Sequence, residues 1–239
     1  MFSAQDTKKV ILIPTYNEKD NIAALIAKIS EQKLNFDILI IDDNSPDGTG
    51  QLAEEIAKKN SQVKVLHRKG KEGLGKAYQE GFRWALDNHY EIIMQMDADL
   101  SHDPAVLPLF MKEIENHDAV FGSRYYNGVR VHNWSFKRLL LSKVSNEFIS
   151  RTLNINATDT TTAYKCFRRN VIESLHIERF KGKQNAFLIE LVYATIKSGF
   201  KTKEVPFTFV ERVTGESKMK LSVAYESFVT VFRLFFFGR

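Results

Sequence analysis

Asp97 and Asp99 stand two residues apart, directly after the apolar run Glu91–Met96 (EIIMQM). Side chains alternate between the faces of an extended chain, so carboxylates two apart share one side and can approach a single cation. Hard carboxylate oxygens suit Mg²⁺ or Mn²⁺, and Mg²⁺ commonly shares its coordination sphere with substrate phosphates. By themselves the two residues would also read as an exposed acidic turn. Two further polar clusters, Pro14–Glu18 (PTYNE) and Asp42–Gly48 (DDNSPDG), also follow apolar runs of strand length. If the three strands are parallel, the clusters meet at one rim, which is where ligands of open α/β sheets bind.

Other residues fall into place around that rim. Asp43 closes its strand and is expected to accept hydrogen bonds from a ribose hydroxyl or a base edge, with Asp42 as its support. Arg124 follows a short strand (Ala119–Phe121) and should reach the same edge. Arg212 and Lys218 lie in a Gly-bearing segment suited to closing over a donor and setting two cations on its diphosphate. Lys137 and Arg138 are candidates for an incoming phosphate. His102 is expected beside the metal pair as a supporting or solvent-facing group rather than a ligand. Gly70–Ala77 (GKEGLGKA) falls short of a P-loop because Ala77 lacks the hydroxyl that would ligate Mg²⁺, and Tyr78 spoils a GxGxxG pattern. ATPase and dinucleotide-oxidoreductase chemistry are thereby disfavoured, and the glycines are expected to let a helix start close under a nucleotide.

The elements that must carry these groups alternate. Strand-length runs at Lys9–Pro14, Phe36–Ile41, Val63–Leu66, Glu91–Met96 and Ala119–Phe121 are separated by helical patterns at Asp20–Gln32, Gly50–Lys59, Gly75–Asn88 and Ala105–Glu115. Asp20 is the expected N-cap of the first helix. Runs that are apolar throughout predict a mostly parallel, open sheet covered by helices on both faces. Beyond Arg124 the pattern predicts a helix over Trp134–Leu153, a β-rich stretch over Thr160–Arg168 and a helix over Asn185–Lys197. An edge strand, Lys203–Val210, follows and contains Pro206. The expected organisation is one domain over residues 1–239. Its parts are a nucleotide- and metal-binding half (about 9–123), an acceptor half (124–221) and a C-terminal helix (222–239).

Charge divides along the same line. Residues 1–123 hold 14 Lys and Arg against 20 Asp and Glu, whereas residues 124–183 hold 12 against 4. An acidic half that holds a cation and a basic half that meets phosphates or an anionic membrane would account for this, as would solvated faces. The basic residues follow no nucleic-acid-binding motif, so a nucleic-acid partner is not expected. Cys166, the single cysteine, cannot form an internal disulfide and is read as a small buried residue in a reducing cytoplasm. No export signal is read at the N-terminus. Phe228–Phe237 (FVTVFRLFFF) is too short to span a bilayer, which takes about 20 residues. It suits the buried face of a helix or, preferably, an amphipathic element in a membrane interface.

Taken in order, PTYNE, DDNSPDGT, GLGKA, DADLSHDP, GSRY and VPFTFVERVTGESKM resemble family 2 glycosyltransferases, most closely the dolichol-phosphate mannose synthase group. The resemblance implies a GT-A type (Rossmann-like) nucleotide-sugar-binding domain. It also implies metal-dependent, inverting transfer of mannose from GDP-mannose to a polyprenyl phosphate. The alternative is UDP-sugar transfer, for example of glucose, to a lipid phosphate or glycan. By position it implies Pro14, Tyr16, Glu18 and Asp43 at the guanosine, and Asp97, Ala98 and Asp99 at metal and diphosphate. Arg124, Arg212 and Lys218 would meet phosphate or sugar, and Lys137 or Arg138 the acceptor phosphate. Asp99, Arg124 and Arg212 are the residues expected to act on the transfer itself. Three departures stand out: Ala163 ends the D-x-T-x-G stretch, Leu188 replaces a glutamine, and no transmembrane pair follows. A protein peripheral at the cytoplasmic face of a membrane is therefore expected.

Overall fold

The computed structural model describes residues 7–210 and 221–238, and its central strand runs, Val10–Ile13, Ile38–Ile41, Ile92–Met94 and Ala119–Phe121, are apolar because each is covered on both faces. In β1 (Lys9–Thr15), Val10 and Leu12 enter one core while Ile11 and Ile13 enter the other. The chain then alternates through α1 (Lys19–Glu31), β2 (Asp37–Asp42), α2 (Thr49–Lys59), β3 (Val63–His67), α3 (Leu74–Asp87) and β4 (Ile92–Gln95). A short 3-10 turn, Pro104–Val106, leads into α4 (Leu107–Ile114) and β5 (Ala119–Ser123). The second half adds β6 (Val131–His132), α5 (Phe136–Leu153), β7 (Lys165–Arg168), α6 (Arg169–Ser174) and α7 (Asn185–Lys197). It ends in β8 (Thr202–Pro206), β9 (Phe209–Val210) and α8 (Leu221–Phe237).

The main sheet runs β3-β2-β1-β4-β7-β5-β8. Every pairing is parallel except those of β7, which runs antiparallel to both β4 and β5. Helices α1, α2 and α4 cover one face, and α3, α5, α6, α7 and α8 bury their apolar residues in the core on the other. The open, mostly parallel sheet flanked by helices agrees with the sequence reading.

Three local expectations are corrected. Helix α1 begins at Lys19 with Glu18 in the N-cap position, so Asp20 lies in the first turn, where its charge favours the helix dipole. The run Lys203–Val210 is two strands: β8, an edge strand that ends on Pro206, and β9, which pairs with β6 in a separate ribbon. The β-rich stretch narrows to β7, and residues 158–164 form the loop that precedes it. The start of α3 is also closely packed. A Cβ on Gly75 would lie 2.4 Å from the carbonyl oxygen of Gly182, where residues 182–183 cross the helix start.

Candidate active site

The parallel strands end together, and each end carries part of the site. The bend after β1 holds Tyr16, Asn17 and Glu18, and its backbone is tied to the loop after β2. Asn17 N–H donates to Ser45 Oγ at 3.1 Å and Glu18 N–H to Thr49 Oγ1 at 3.0 Å. Pro14 is the penultimate residue of β1. Glu18 is buried and accepts from Asn21 Nδ2 at 2.8 Å. Tyr16 is exposed, and Lys71 Nζ lies 3.9 Å from its ring centroid, which brings the glycine-rich segment 70–77 to this corner.

At the end of β2 the two aspartates divide their tasks. Asp42 accepts from Ser45 N–H (3.1 Å), Ser45 Oγ (2.6 Å) and Thr15 Oγ1 (3.1 Å), which shapes the turn. Asp43 pairs through Oδ1 with the buried Arg68 guanidinium, which the end of β3 supplies and which also lies 3.0 Å from Glu80. Burial raises the Asp43 carboxyl above the usual carboxylate range, despite the hydrogen bond and charge of Arg68, which pull the other way. The sequence reading missed Arg68. Its only signal is a position one residue past an apolar strand, which many surface arginines share.

Asp97 and Asp99 follow β4, both half-buried, with Ala98 between them turned into the core. Asp99 Oδ1 accepts from Ser101 N–H (3.1 Å) and Ser101 Oγ (2.5 Å). His102 anchors the other carboxylate's backbone: its Nδ1 accepts from Asp97 N–H at 3.0 Å, so the ring proton belongs on Nε2. That nitrogen faces Thr162 Oγ1 at 3.3 Å and Asp97 Oδ2 at 3.8 Å. The ring is stacked on Tyr164 with centroids 4.8 Å apart, and burial pushes its pKa down to about 3, leaving it neutral. Among the described residues no group of three or more His, Cys, Asp or Glu is arranged to hold a metal. Two carboxylates without a third fit a hard cation whose remaining positions are filled by substrate oxygens and water.

Arg124 leaves the end of β5 and is buried. Because β7 runs antiparallel, the loop before it reaches this rim and presents Asp159. Arg124 Nε and Nη2 donate to Asp159 at 2.6 and 2.7 Å, and Nη2 also reaches Thr161 Oγ1 at 2.7 Å. Asp159 is fully buried, and the Arg124 charge holds its carboxyl below the usual range against the opposing effect of burial. Such a bidentate pair orders the loop and leaves Arg124 little freedom to wrap a phosphate. Lys137 and Arg138 lie in the first turn of α5, behind the N-cap Ser135. Arg212 and Lys218 lie outside the described residues.

The model for "Glycosyl transferase family 2" matches residues 10–175, a span that contains all of these described site residues. The chain belongs to family 2 of the glycosyltransferases. The enzyme is 39% identical over 226 residues to the polyprenol monophosphomannose synthase of Mycolicibacterium smegmatis, covering 94% of this chain and 85% of that one. It is 37% identical over 222 residues to the undecaprenyl-phosphate mannosyltransferase of Micrococcus luteus, covering 93% and 91%. The glycosyltransferase shares its fold with glucosyl-3-phosphoglycerate synthase from Mycobacterium tuberculosis, crystallised with Mn²⁺, UDP and phosphoglyceric acid. There the TM-score is 0.71 at 15% identity, over 95% of this chain and 78% of that one. The same protein with Mg²⁺ and UDP superimposes with a TM-score of 0.68 at 16% identity, covering 95% and 79%.

Proposed function

We propose that this glycosyltransferase moves mannose from GDP-mannose to the phosphate of a polyprenyl phosphate. An acceptor phosphate oxygen attacks the anomeric carbon, the bond from that carbon to the diphosphate breaks, and GDP leaves with inversion. The observation that carries a lipid-linked acceptor is an apolar groove of about 420 Å³ between α5 and α8. Its wall includes Thr161, the hydroxyl partner of Arg124, and it runs past Ile149 and Phe148 to Phe228 and Val231. Relatives named for mannosyl transfer to polyprenyl and undecaprenyl phosphates favour mannose as the sugar.

The acceptor supplies its own nucleophile. A phosphate monoester with a second pKa near ~6 is largely dianionic at neutral pH and needs no general base. The chain's part is to orient two anions and stabilise the one that departs. Asp43 accepts from the nucleoside, with Pro14, Tyr16 and Glu18 beside it. Asp97 and Asp99, with Ala98 between them, face the diphosphate. Mg²⁺ or Mn²⁺ held by Asp97 and Asp99 would supply positive charge to the leaving group, and the fold relative was crystallised with either ion. Arg124, Arg212 and Lys218 add cations on the donor side, and Lys137 or Arg138 receives the acceptor phosphate. The exposed phenylalanines of α8 suit a peripheral seat at the cytoplasmic face of a membrane.

A screen of GDP-mannose and UDP-glucose against a short polyprenyl phosphate, with Mg²⁺, with Mn²⁺ and with EDTA, tests this reading. Metal-dependent formation of mannosyl lipid is expected. A product formed only from UDP-glucose, or turnover unaffected by EDTA, would overturn the donor or the metal assignment respectively.

A further inference from the structure

Arg124 does more than pair with Asp159. Its guanidinium carbon lies 5.3 Å from the centroid of the Trp134 ring. The same indole carries the guanidinium carbon of Arg138 at 4.3 Å, the shorter of the two contacts. Phe209 packs edge-on against the indole, centroids 5.4 Å apart at 65°. The ring's seat is rigid because β9, which contains Phe209, pairs with β6 just before Trp134. The indole N–H is buried and has no hydrogen-bond partner among the described residues, so the ring is held by what covers its faces and edges.

One aromatic side chain therefore touches both a buried cation of the donor rim and a cation in the first turn of α5. Guanidinium groups stack on aromatic faces and keep their charge while doing so. A long arginine side chain ordered in advance loses less conformational freedom when a phosphate arrives. We propose that Trp134 is a positioning residue for the acceptor. It holds the Arg138 guanidinium in a fixed relation to the Arg124–Asp159 pair, and so sets the distance between the incoming phosphate and the departing diphosphate. This proposal rests on the reading of Arg138 as a ligand of the acceptor phosphate.

Steady-state kinetics with GDP-mannose and a short-chain polyprenyl phosphate would test it in wild type, W134A, W134F, R138A and W134A/R138A. W134A should raise KM for the acceptor by about tenfold and leave KM for the donor within roughly twofold. W134F keeps a π-face, should restore most of the acceptor affinity, and guards against a trivial loss of folding. The double variant should show the acceptor KM of R138A, since the two residues act as one unit. Equal rises in both KM values for W134A, or multiplicative effects in the double variant, would defeat the positioning role. So would a raised acceptor KM in R138A alongside an unchanged one in W134A. An unchanged KM in R138A would instead defeat the acceptor-phosphate assignment, and this proposal with it.

Discussion

At the scale of single residues, the rim mixes groups presented to substrates with groups that only hold them. In the proposed function Asp99 belongs to the first kind. Replacing it with Ala is expected to lower kcat by about 10³-fold, the scale of losing preorganised charge at a leaving group, while thermal unfolding stays within a few degrees. Unimpaired turnover would remove Asp99 from the chemistry. Arg68 belongs to the second kind. Its side chain and that of Asp43 are only 1% and 8% exposed, so Arg68→Met strands a buried carboxylate. Urea unfolding should show a loss of about 3–5 kcal/mol. Adding Asp43→Asn should recover part of that loss, because the stranded charge is then gone. Equal stability of the single and double variants would refute the pairing.

At the scale of elements, the decisive one is β7. Its insertion between β4 and β5 brings Asp159 to Arg124, and it also buries Lys165, which donates to the Thr162 carbonyl oxygen. Burial lowers the Lys165 pKa from 10.5 to about 7, against the charge of Asp159. Between those two values the unfolded chain holds a proton that the folded chain has released. Stability therefore rises with pH across that window and is lost as pH falls through about 7. The melting-temperature difference between wild type and Lys165→Met should accordingly shift in favour of wild type from pH 7 to pH 10. A difference independent of pH would contradict a buried, depressed lysine. Cys166 lies on the same strand, its thiol pushed up to about 12 by burial. It is the small core residue that its isolation in the sequence implied.

At the scale of the whole molecule, one flank is strongly apolar. Helix α8 buries Val231 and Leu234, yet leaves Phe235, Phe236 and Phe237 57%, 65% and 78% exposed. Beside it, α5 exposes Phe136, Leu140, Leu141 and Val144, and Phe148 stacks on Phe228. Each such ring left in water forgoes about 2 kcal/mol of burial. No helix among the described residues is long and apolar enough to cross a membrane; contact with a membrane surface is the use proposed for this flank. F235S/F236S/F237S is expected to abolish co-sedimentation with anionic phospholipid vesicles while leaving the melting temperature nearly unchanged. Retained vesicle binding would move the membrane contact elsewhere. The buried side of the helix matches one of the two readings of the C-terminal run, and membrane contact by its exposed side is the proposal that this variant tests.

The strands, their parallel pairing and the shared rim of Asp43, Asp97 and Arg124 were legible in the sequence. A buried parallel strand writes its burial on both faces into consecutive residues, and the polar break that ends it is local. The same holds for the family motifs. Tertiary structure alone decided the partners. Arg68 with Asp43 and Arg124 with Asp159 join residues whose types are common and whose spacings carry no period. The antiparallel entry of β7 has no local signature either, because a four-residue strand reads the same in both directions. Which carboxylates are held by an arginine follows from that packing, since only the folded chain determines which charges lose their water.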